Sequence, residues 1–272
     1  MIVESAFLKL PELMLSSNTN QGNVEAMVIH MLSTGLQMEL SSRSIPFAYN
    51  NITVEKPYPN QRKAGTVFRA DLLFDSLGSI PNITRLDQYG FKEKQWLEAK
   101  SFFSKNNSNP PTTQNIGRIL KDLIRLCLLP EELQGRIRQN GRYVLLIFDK
   151  HPSKYLAYSD RVWLKQIFEE RTPSISIDLN TEKSSLISAI IRQDLINAKI
   201  NLSLTVLHFE PSTNTPSPVY WGYLLRIDKF TISINDKTIQ SNGDVKESWD
   251  KKKISELNDV KNEFTTLLKN ED

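Results

Sequence analysis

The sequence of 272 residues contains a single cysteine, Cys127, and only three histidines. One cysteine excludes an internal disulfide and a cysteine-based zinc site. It is typical of a protein in a reducing compartment, so we expect a cytoplasmic location. No two histidines have the spacing of a metal-binding pair. The ten glycines form neither a phosphate-binding loop nor a dinucleotide-binding fingerprint, and no serine lies in a nucleophile elbow.

Long hydrophobic runs are missing as well. No stretch approaches the roughly 20 apolar residues that a transmembrane helix requires. The first residues, MIVESAFLKL, lack the basic segment and the cleavage site of a signal peptide. Neither sign of charge dominates, because the chain has 34 Lys and Arg and 31 Asp and Glu. We therefore expect no membrane partner, and the small excess of bases permits a polyanionic partner without requiring one.

Length and hydrophobic patterning predict one elaborated domain, residues 1–272, with a mixed α/β fold around a central sheet. Helical spacing of apolar residues covers residues 20–40, 113–133, 160–171, 183–199 and, among many charges, 247–269. Strand-like segments cover residues 49–59 with a proline stop, 66–77, 95–103, 201–209 and 219–234. RYVLLIFDK, residues 142–150, is nearly continuously apolar, which predicts a strand covered on both faces.

One predicted strand carries a pair of opposite charges, Glu98 and Lys100, among bulky apolar residues. Because side chains at i and i+2 of a strand point to the same face, we expect these two to lie side by side. The acid-x-lysine pattern occurs four times, but the other three examples lie in the charged segment after residue 240. Only Glu98 and Lys100 follow another apolar strand that carries a carboxylate, Asp71 in ADLLFD.

Asp71 lies 27 positions before Glu98, which allows a connection that places the two strands side by side. Repulsion between the carboxylates and burial both disfavour such a cluster, and a divalent cation removes the conflict. Oxygen ligands with room for water suit Mg²⁺, which lowers the pKa of a water and neutralises phosphate charge. Lys100 would orient or deprotonate the attacking water, or stabilise the pentavalent phosphate.

ADLLFD followed by WLEAK resembles the motif of the PD-(D/E)xK nuclease superfamily, which includes many type II restriction endonucleases. The resemblance covers about residues 20–150. It implies a restriction-endonuclease-like fold with a four-strand mixed sheet flanked by helices, to which residues 151–272 add a C-terminal α/β elaboration. It implies that Asp71, Glu98 and the Ala99 carbonyl hold the metal and that Lys100 is the catalytic lysine. Glu25, on the preceding helix, is the candidate for a further acidic residue of the family.

Two positions depart from the family pattern. Ala70 precedes Asp71, where the family motif has a proline. Some members also carry a Gln-x-x-x-Tyr motif on the helix after the lysine strand. In QNIGR, Gln114 occupies the glutamine position and Arg118 the tyrosine position, so both side chains could still face a phosphate.

Double-stranded DNA is the partner that the resemblance implies, and we expect basic side chains to contact its phosphates. The candidates are Gln114 and Arg118 on the predicted helix, and Arg136, Arg138 and Arg142 in QGRIRQNGRYV. A solvated loop is the alternative for the arginine-rich segment. A cut through both strands of a symmetric site favours a homodimer.

Alternatives stay open at each level. Glu98 and Lys100 could form an ordinary surface salt bridge, which contributes little to stability. Asp75, four residues after Asp71, could replace it as a ligand. A type II restriction enzyme is the first choice of function. A repair or phage-defence nuclease without site specificity, and a non-catalytic nucleic-acid-binding protein on the same fold, are the other two.

Overall fold

A computed structural model describes most of the chain in separate ranges. They are residues 2–16, 24–43, 48–63, 66–75, 94–103, 112–130, 132–133, 137–138, 140–156, 161–182, 197–211, 220–234, 237–240, 259 and 261–262. Every structural statement below concerns these residues.

The chain begins with three helices, and groups of consecutive strands separated by two further α-helices follow. The helices are α1 (Ile2–Leu8), α2 (Leu10–Ser16), α3 (Val24–Ser42), α4 (Thr112–Cys127) and α5 (Val162–Glu169). The strands are β1 (Ile52–Lys63), β2 (Thr66–Asp75), β3 (Lys94–Phe102), β4 (Glu132–Leu133), β5 (Ile137–Arg138), β6 (Asn140–Phe148), β7 (Ser174–Asp178), β8 (Lys199–Phe209), β9 (Trp221–Ile234) and β10 (Lys237–Gln240). Short 3₁₀ helices cover Ala48–Asn51 and Pro152–Lys154.

Eight of the strands form one sheet in the order β1-β2-β3-β6-β9-β8-β7, with β10 paired to β9. Neighbours are antiparallel except β3 and β6, which are parallel. Parallel neighbours need a long crossover connection, and α4 lies in the segment between β3 and β6. Strands β7–β10 continue the sheet that β1, β2, β3 and β6 begin, so the predicted core and its elaboration share one sheet, and β4 and β5 pair separately.

Helices cover both faces of this sheet and enclose two apolar cores. On one face, α1, α2 and α3 pack with side chains of β2, β3 and β6 that include Leu72, Leu97 and Leu145. On the other face, α4 and α5 pack with side chains that include Trp96 and Leu146. The expectation of a mixed α/β domain with a central sheet flanked by helices is therefore confirmed at this level.

Strand β6 is buried along its whole length, as its nearly continuous apolar sequence predicts. Alternate residues belong to the two cores, with Tyr143, Leu145 and Ile147 on one side and Val144 and Leu146 on the other. The strand thus lies at the centre of the domain, between parallel β3 and antiparallel β9.

The proline stop that was expected in the first strand is wrong, because β1 continues through Pro57 and Pro59 to Lys63. In the sheet order β1 stands at one end, next to β2 alone. A strand in that position needs only one row of ladder hydrogen bonds, so a missing proline N–H is tolerated there. The register shift between Pro57 and Arg62 lies in the same stretch.

Other boundaries differ from expectation in smaller ways. The helix expected at 113–133 ends at Cys127, shortly before Pro130, since the residue before a proline disfavours helical backbone. The sequence patterns did not predict α1, α2 or the five-residue β7. Of the helix expected at 183–199, residues 183–196 lie outside the described residues, and Lys199 begins β8. The tail at 247–269 is also outside them, apart from 259 and 261–262.

No helix in the described residues is both long enough and apolar enough to span a membrane.

Candidate functional site

The two predicted charged strands are neighbours in the sheet. Leu72 of β2 faces Leu97 of β3, and Asp71 and Glu98 are the next residues beyond this pair. The Asp71 carboxylate accepts a hydrogen bond of 2.6 Å from the Ala99 backbone N–H. The structure thus brings Asp71 next to the Glu98–Lys100 segment, as the sequence predicts.

Glu25, at the start of α3, reaches the Glu98–Lys100 segment of β3 from the N-terminal helices. One of its carboxylate oxygens accepts a hydrogen bond of 3.2 Å from the Ser101 backbone N–H. The other lies 4.0 Å from the Lys100 ammonium nitrogen. The backbone N–H groups of Ala99 and Ser101, the residues that flank Lys100 in β3, therefore anchor the carboxylates of Asp71 and Glu25.

Glu98 is buried and has two partners that the sequence did not indicate. The Tyr58 hydroxyl, from β1, donates a hydrogen bond of 2.5 Å to Glu98 Oε1. The Arg125 guanidinium, from α4, lies 3.7 Å from the same oxygen. Tyr58 also stacks on Trp96, with ring centroids 5.5 Å apart, which fixes the position of its hydroxyl. Glu98 is thus held from two directions.

Asp122 of α4 completes the site. Its Oδ2 lies 3.5 Å from the Lys100 ammonium, and its Oδ1 lies 3.5 Å from Arg125. We call Glu25, Asp71, Glu98, Lys100, Asp122 and Arg125 the acidic cluster. Four carboxylates and two cations give the cluster a net charge of −2 when all six groups are ionised.

The excess of acid is visible in the pKa values of the carboxyls. Burial raises the pKa of Glu98 well above its usual range, and the nearby Asp122 and Asp71 raise it further. Burial also raises the pKa of Asp122, against the effect of Lys100 and Arg125. The pKa of Glu25 is raised by burial too, and Lys100 opposes this shift. A positive charge placed here would favour the ionised form of all three.

For Lys100, burial and the neighbouring acids have opposite effects on the pKa. Burial favours its neutral form, but Asp122, Glu25 and Glu98 outweigh that effect and raise its pKa above the ordinary value. The lysine therefore carries its proton at neutral pH, which suits a hydrogen-bond donor or a positive charge facing a phosphate better than a general base.

Mg²⁺ is the cofactor that the resemblance implies, and the donor chemistry of the cluster fits it. All candidate donors are oxygens, and the cluster carries excess negative charge, which are the properties that Mg²⁺ sites share. Within the described residues, no group of three or more histidines, cysteines or acids is already arranged to hold a metal ion. Glu98 Oε1 contacts Tyr58 and Arg125, and Asp71 Oδ2 accepts a hydrogen bond from a backbone N–H. One oxygen of each of these two expected ligands therefore already has a partner within the protein.

Asp75, the alternative ligand, lies elsewhere on β2. It faces Lys94, at the start of β3, whereas Asp71 lies next to the Leu72–Leu97 pair. Four residues of strand separate the two aspartates, about 13 Å. Asp71 is therefore the aspartate that belongs to the acidic cluster.

The predicted phosphate contacts fall into three groups. Gln114 and Arg118 are exposed on α4, where a polyanion could reach them. Arg142 is buried, and its guanidinium donates to the Leu126 and Asn140 carbonyl oxygens at 2.9 and 2.8 Å.

The placement of Arg142 corrects the expectation that it faces DNA. Its guanidinium also lies over the Phe230 ring, 5.1 Å from the centroid. The physical reason is that the Leu126 carbonyl at the end of α4 and the Asn140 carbonyl of β6 both lie within reach, so the buried guanidinium forms its hydrogen bonds within the protein. Arg136 lies outside the described residues, and of Arg138 only the backbone, in β5, is described.

Three residues of the site were missed as partners of the charged strand. Asp122 and Arg125 interrupt the apolar face of α4, where Ile119 and Leu123 are fully buried. Charged residues on an apolar helix face indicate a buried polar contact, but the sequence does not show which strand the helix covers. Tyr58 is buried in a stretch of β1 whose neighbours Pro57 and Pro59 are exposed, a single aromatic between two prolines.

Comparison of the chain with protein-family models, curated proteins and solved structures finds no match in any of the three.

Proposed function

We propose that the protein is a Mg²⁺-dependent DNA endonuclease of the PD-(D/E)xK type that hydrolyses phosphodiester bonds. The observation that carries the proposal is the meeting of Asp71, Glu98 and Lys100 on two adjacent strands, with Glu25 added from the preceding helix. The four strands β1-β2-β3-β6 form a mixed sheet. This arrangement supports the fold that the resemblance implies.

In this proposal the residues of the acidic cluster have different roles. Asp71, Glu98 and the Ala99 carbonyl would hold the cation, whose charge would then stand next to the phosphate under attack. Lys100 keeps about a quarter of its side chain exposed, so its ammonium can donate to a phosphate oxygen. Tyr58 and Arg125 hold the Glu98 carboxylate in place.

Cleavage of supercoiled plasmid with Mg²⁺, compared with the same reaction in EDTA, tests the proposal. The wild type should cut only with Mg²⁺, and Asp71→Ala and Glu98→Ala should each abolish cutting while far-ultraviolet circular dichroism stays unchanged. Asp259→Ala is the matched control, because Asp259 is exposed and belongs to another acid-x-lysine pattern. Full cleavage by Glu98→Ala, or none by the wild type, would contradict the proposal.

A second function is favoured by one observation. The Glu98 carboxylate already has a tyrosine hydroxyl and an arginine as partners without a cation, which favours a protein that binds nucleic acid without catalysis. Such a protein would bind duplex DNA equally well in Mg²⁺ and in EDTA and would cut it in neither. A gel-shift titration beside the plasmid assay separates the two functions.

Sequence specificity and assembly belong to the same proposal. A type II restriction enzyme would cut a plasmid into discrete fragments, whereas a repair or phage-defence nuclease would degrade it without fixed ends. Sequencing the fragment ends distinguishes them. A homodimer is expected for a symmetric double-strand cut, and sedimentation equilibrium with and without DNA measures it.

A further inference from the structure

Two charged side chains of β3, Glu98 and Lys100, each have an opposite charge on α4. Lys100 faces Asp122, and Glu98 faces Arg125, two residues apart on the strand and three apart on the helix. Asp122 and Arg125 also contact each other, so the four groups form a continuous row of alternating charge. Helix α4 thus supplies the counter-charges for these two side chains of β3.

The Asp122 carboxylate is the more strongly coupled of the two acids near Lys100. Its side chain is 4% exposed, whereas that of Glu25 is 33% exposed. It is also nearer to the ammonium, at 3.5 Å against 4.0 Å. Because water screens a buried charge less than an exposed one, Asp122 exerts the larger force on the ammonium.

Asp122 is itself held firmly. The helix around it is packed through the fully buried Ile119 and Leu123, and Arg125 lies one turn further along. A lysine side chain has four rotatable bonds, so its ammonium stays in one place only if a fixed partner holds it. Asp122 provides that partner from inside the protein and leaves the outer side of the ammonium accessible.

We propose that Asp122 is a positioning residue for Lys100: its buried carboxylate holds the lysine ammonium where it can meet a phosphate oxygen of bound DNA. The proposal rests on the proposed nuclease function. It adds a residue of α4 to the metal-binding and lysine positions that the resemblance places on β2, β3 and α3. Asp122 itself touches neither DNA nor the reacting atoms.

Single-turnover cleavage at saturating DNA tests the role. Asp122→Asn keeps the shape of the side chain but removes its charge, and we expect a rate about 10–100-fold lower. DNA affinity in Ca²⁺ should not change, and Asp122→Glu should recover part of the rate. Glu182→Gln is the matched control: it removes a well-buried carboxylate that binds Arg161 and Trp163 at 2.8 Å, and it should lose stability without losing rate.

The Lys100→Met background shows whether Asp122 acts through Lys100. If it does, Asp122→Asn should slow Lys100→Met no further, because the group that it positions is already gone. Equal slowing in both backgrounds would overturn the proposal. So would a loss of rate in Glu182→Gln as large as that in Asp122→Asn, because that result would mean a general effect of destabilisation.

A chemical readout separates this proposal from the nuclease function. Reductive methylation, followed by mass spectrometry of the peptide that contains Lys100, measures how readily the amine reacts. Asp122→Asn should react faster than the wild type, because the amine has lost its fixed partner, and Glu182→Gln should react at the wild-type rate. Faster labelling in a protein that cuts no DNA would refute the nuclease and retain the contact. Unchanged labelling would overturn the proposal itself.

Discussion

Two charged clusters of the protein differ in how their charges are matched. We call the second the Glu4–Arg226 cluster; its members are Glu4, Tyr143, Thr205, Arg226 and Asp228. There the Arg226 guanidinium donates to Glu4 at 2.9 Å and to Asp228 at 2.6 Å. In the acidic cluster, the contacts between opposite charges are 3.5 to 4.0 Å long.

The short hydrogen bonds of the acidic cluster come instead from neutral donors. Tyr58 donates to Glu98, and the backbone N–H of Ala99 donates to Asp71. The cations stand further off, and the excess negative charge stays. The Glu4–Arg226 cluster is built as a structural contact between α1 and β9. The acidic cluster instead keeps an excess of negative charge, and three experiments measure that difference. A fourth compares an exposed arginine with a buried one.

The largest effect is expected for Lys100→Ala. Loss of a positioned donor should slow cleavage in Mg²⁺ by about 10²–10⁴-fold. DNA binding in Ca²⁺ should stay near the wild-type value, because the cation supplies most of the positive charge in that complex. Single-turnover cleavage beside a gel-shift titration measures both, with Lys199→Ala, which lies in an exposed pair with Asp178, as control. Equal loss of binding and cleavage would make Lys100 an affinity residue.

Arg226→Met should show the reverse pattern. It leaves the buried Glu4 carboxylate without its cation, so we expect a loss of about 1–3 kcal/mol in the free energy of unfolding. The cleavage rate per folded molecule should not change. Urea denaturation measures the loss, with Asp178→Asn as the control for an exposed pair. A slower reaction with intact stability would show that the two clusters are coupled.

A smaller effect concerns pH. Burial raises the pKa of Glu98 above its ordinary value of 4.5, so the folded protein binds this proton more tightly than the unfolded chain. Stability is therefore lost as pH rises from the ordinary value towards the raised one. Glu98→Gln removes this loss, and in EDTA its advantage in thermal unfolding over the wild type should grow from pH 5 to pH 8.

Glu39→Gln is the control with the opposite sign. A hydrogen bond from Lys9 lowers the pKa of Glu39, so its contribution to stability is present above pH 4.5 and is lost as pH falls. The variant should be less stable than the wild type at neutral pH and equal to it in acid. A Glu98→Gln variant that behaves like Glu39→Gln would show that Glu98 is well matched in the folded protein.

The smallest effect separates an exposed arginine from a buried one. If Arg118 contacts a phosphate, Arg118→Ala should flatten the slope of log binding constant against log salt by about 0.9. Arg142→Ala should leave that slope unchanged and lower stability, because its guanidinium binds two carbonyl groups of the protein. Fluorescence anisotropy at several salt concentrations measures the slopes, and an unchanged slope for Arg118→Ala would remove it from the interface.

Local sequence patterns predicted what depends on one or two neighbouring segments. The i, i+2 spacing placed Glu98 and Lys100 together, and the preceding apolar strand supplied Asp71. The continuous apolar run predicted that β6 is covered on both faces. Each of these features follows from strand geometry alone, which the residue order determines directly.

What depends on packing between distant elements was not predictable in this way. Asp122 lies beside the apolar face of α4, but its partner is decided by how the helix crosses β3. Tyr58 reaches Glu98 over a sequence distance of 40 residues. Arg142 has the sequence context of a surface arginine and is buried because the end of α4 offers carbonyl groups nearby.

The contact between Glu4 and Arg226 joins residues 222 positions apart. A ribosome emits a chain from its N-terminus at about 5–20 residues per second, so α1 exists for many seconds before Arg226 has been made. During that interval Glu4 lacks its arginine, and the N-terminal helical layer cannot reach its final arrangement on the sheet. The sheet face of β6 that this layer covers is apolar, so a helical layer that has not reached its final arrangement leaves part of that apolar surface exposed. A ribosome-bound chain halted before residue 226 should therefore recruit holding chaperones more strongly than one halted after residue 240.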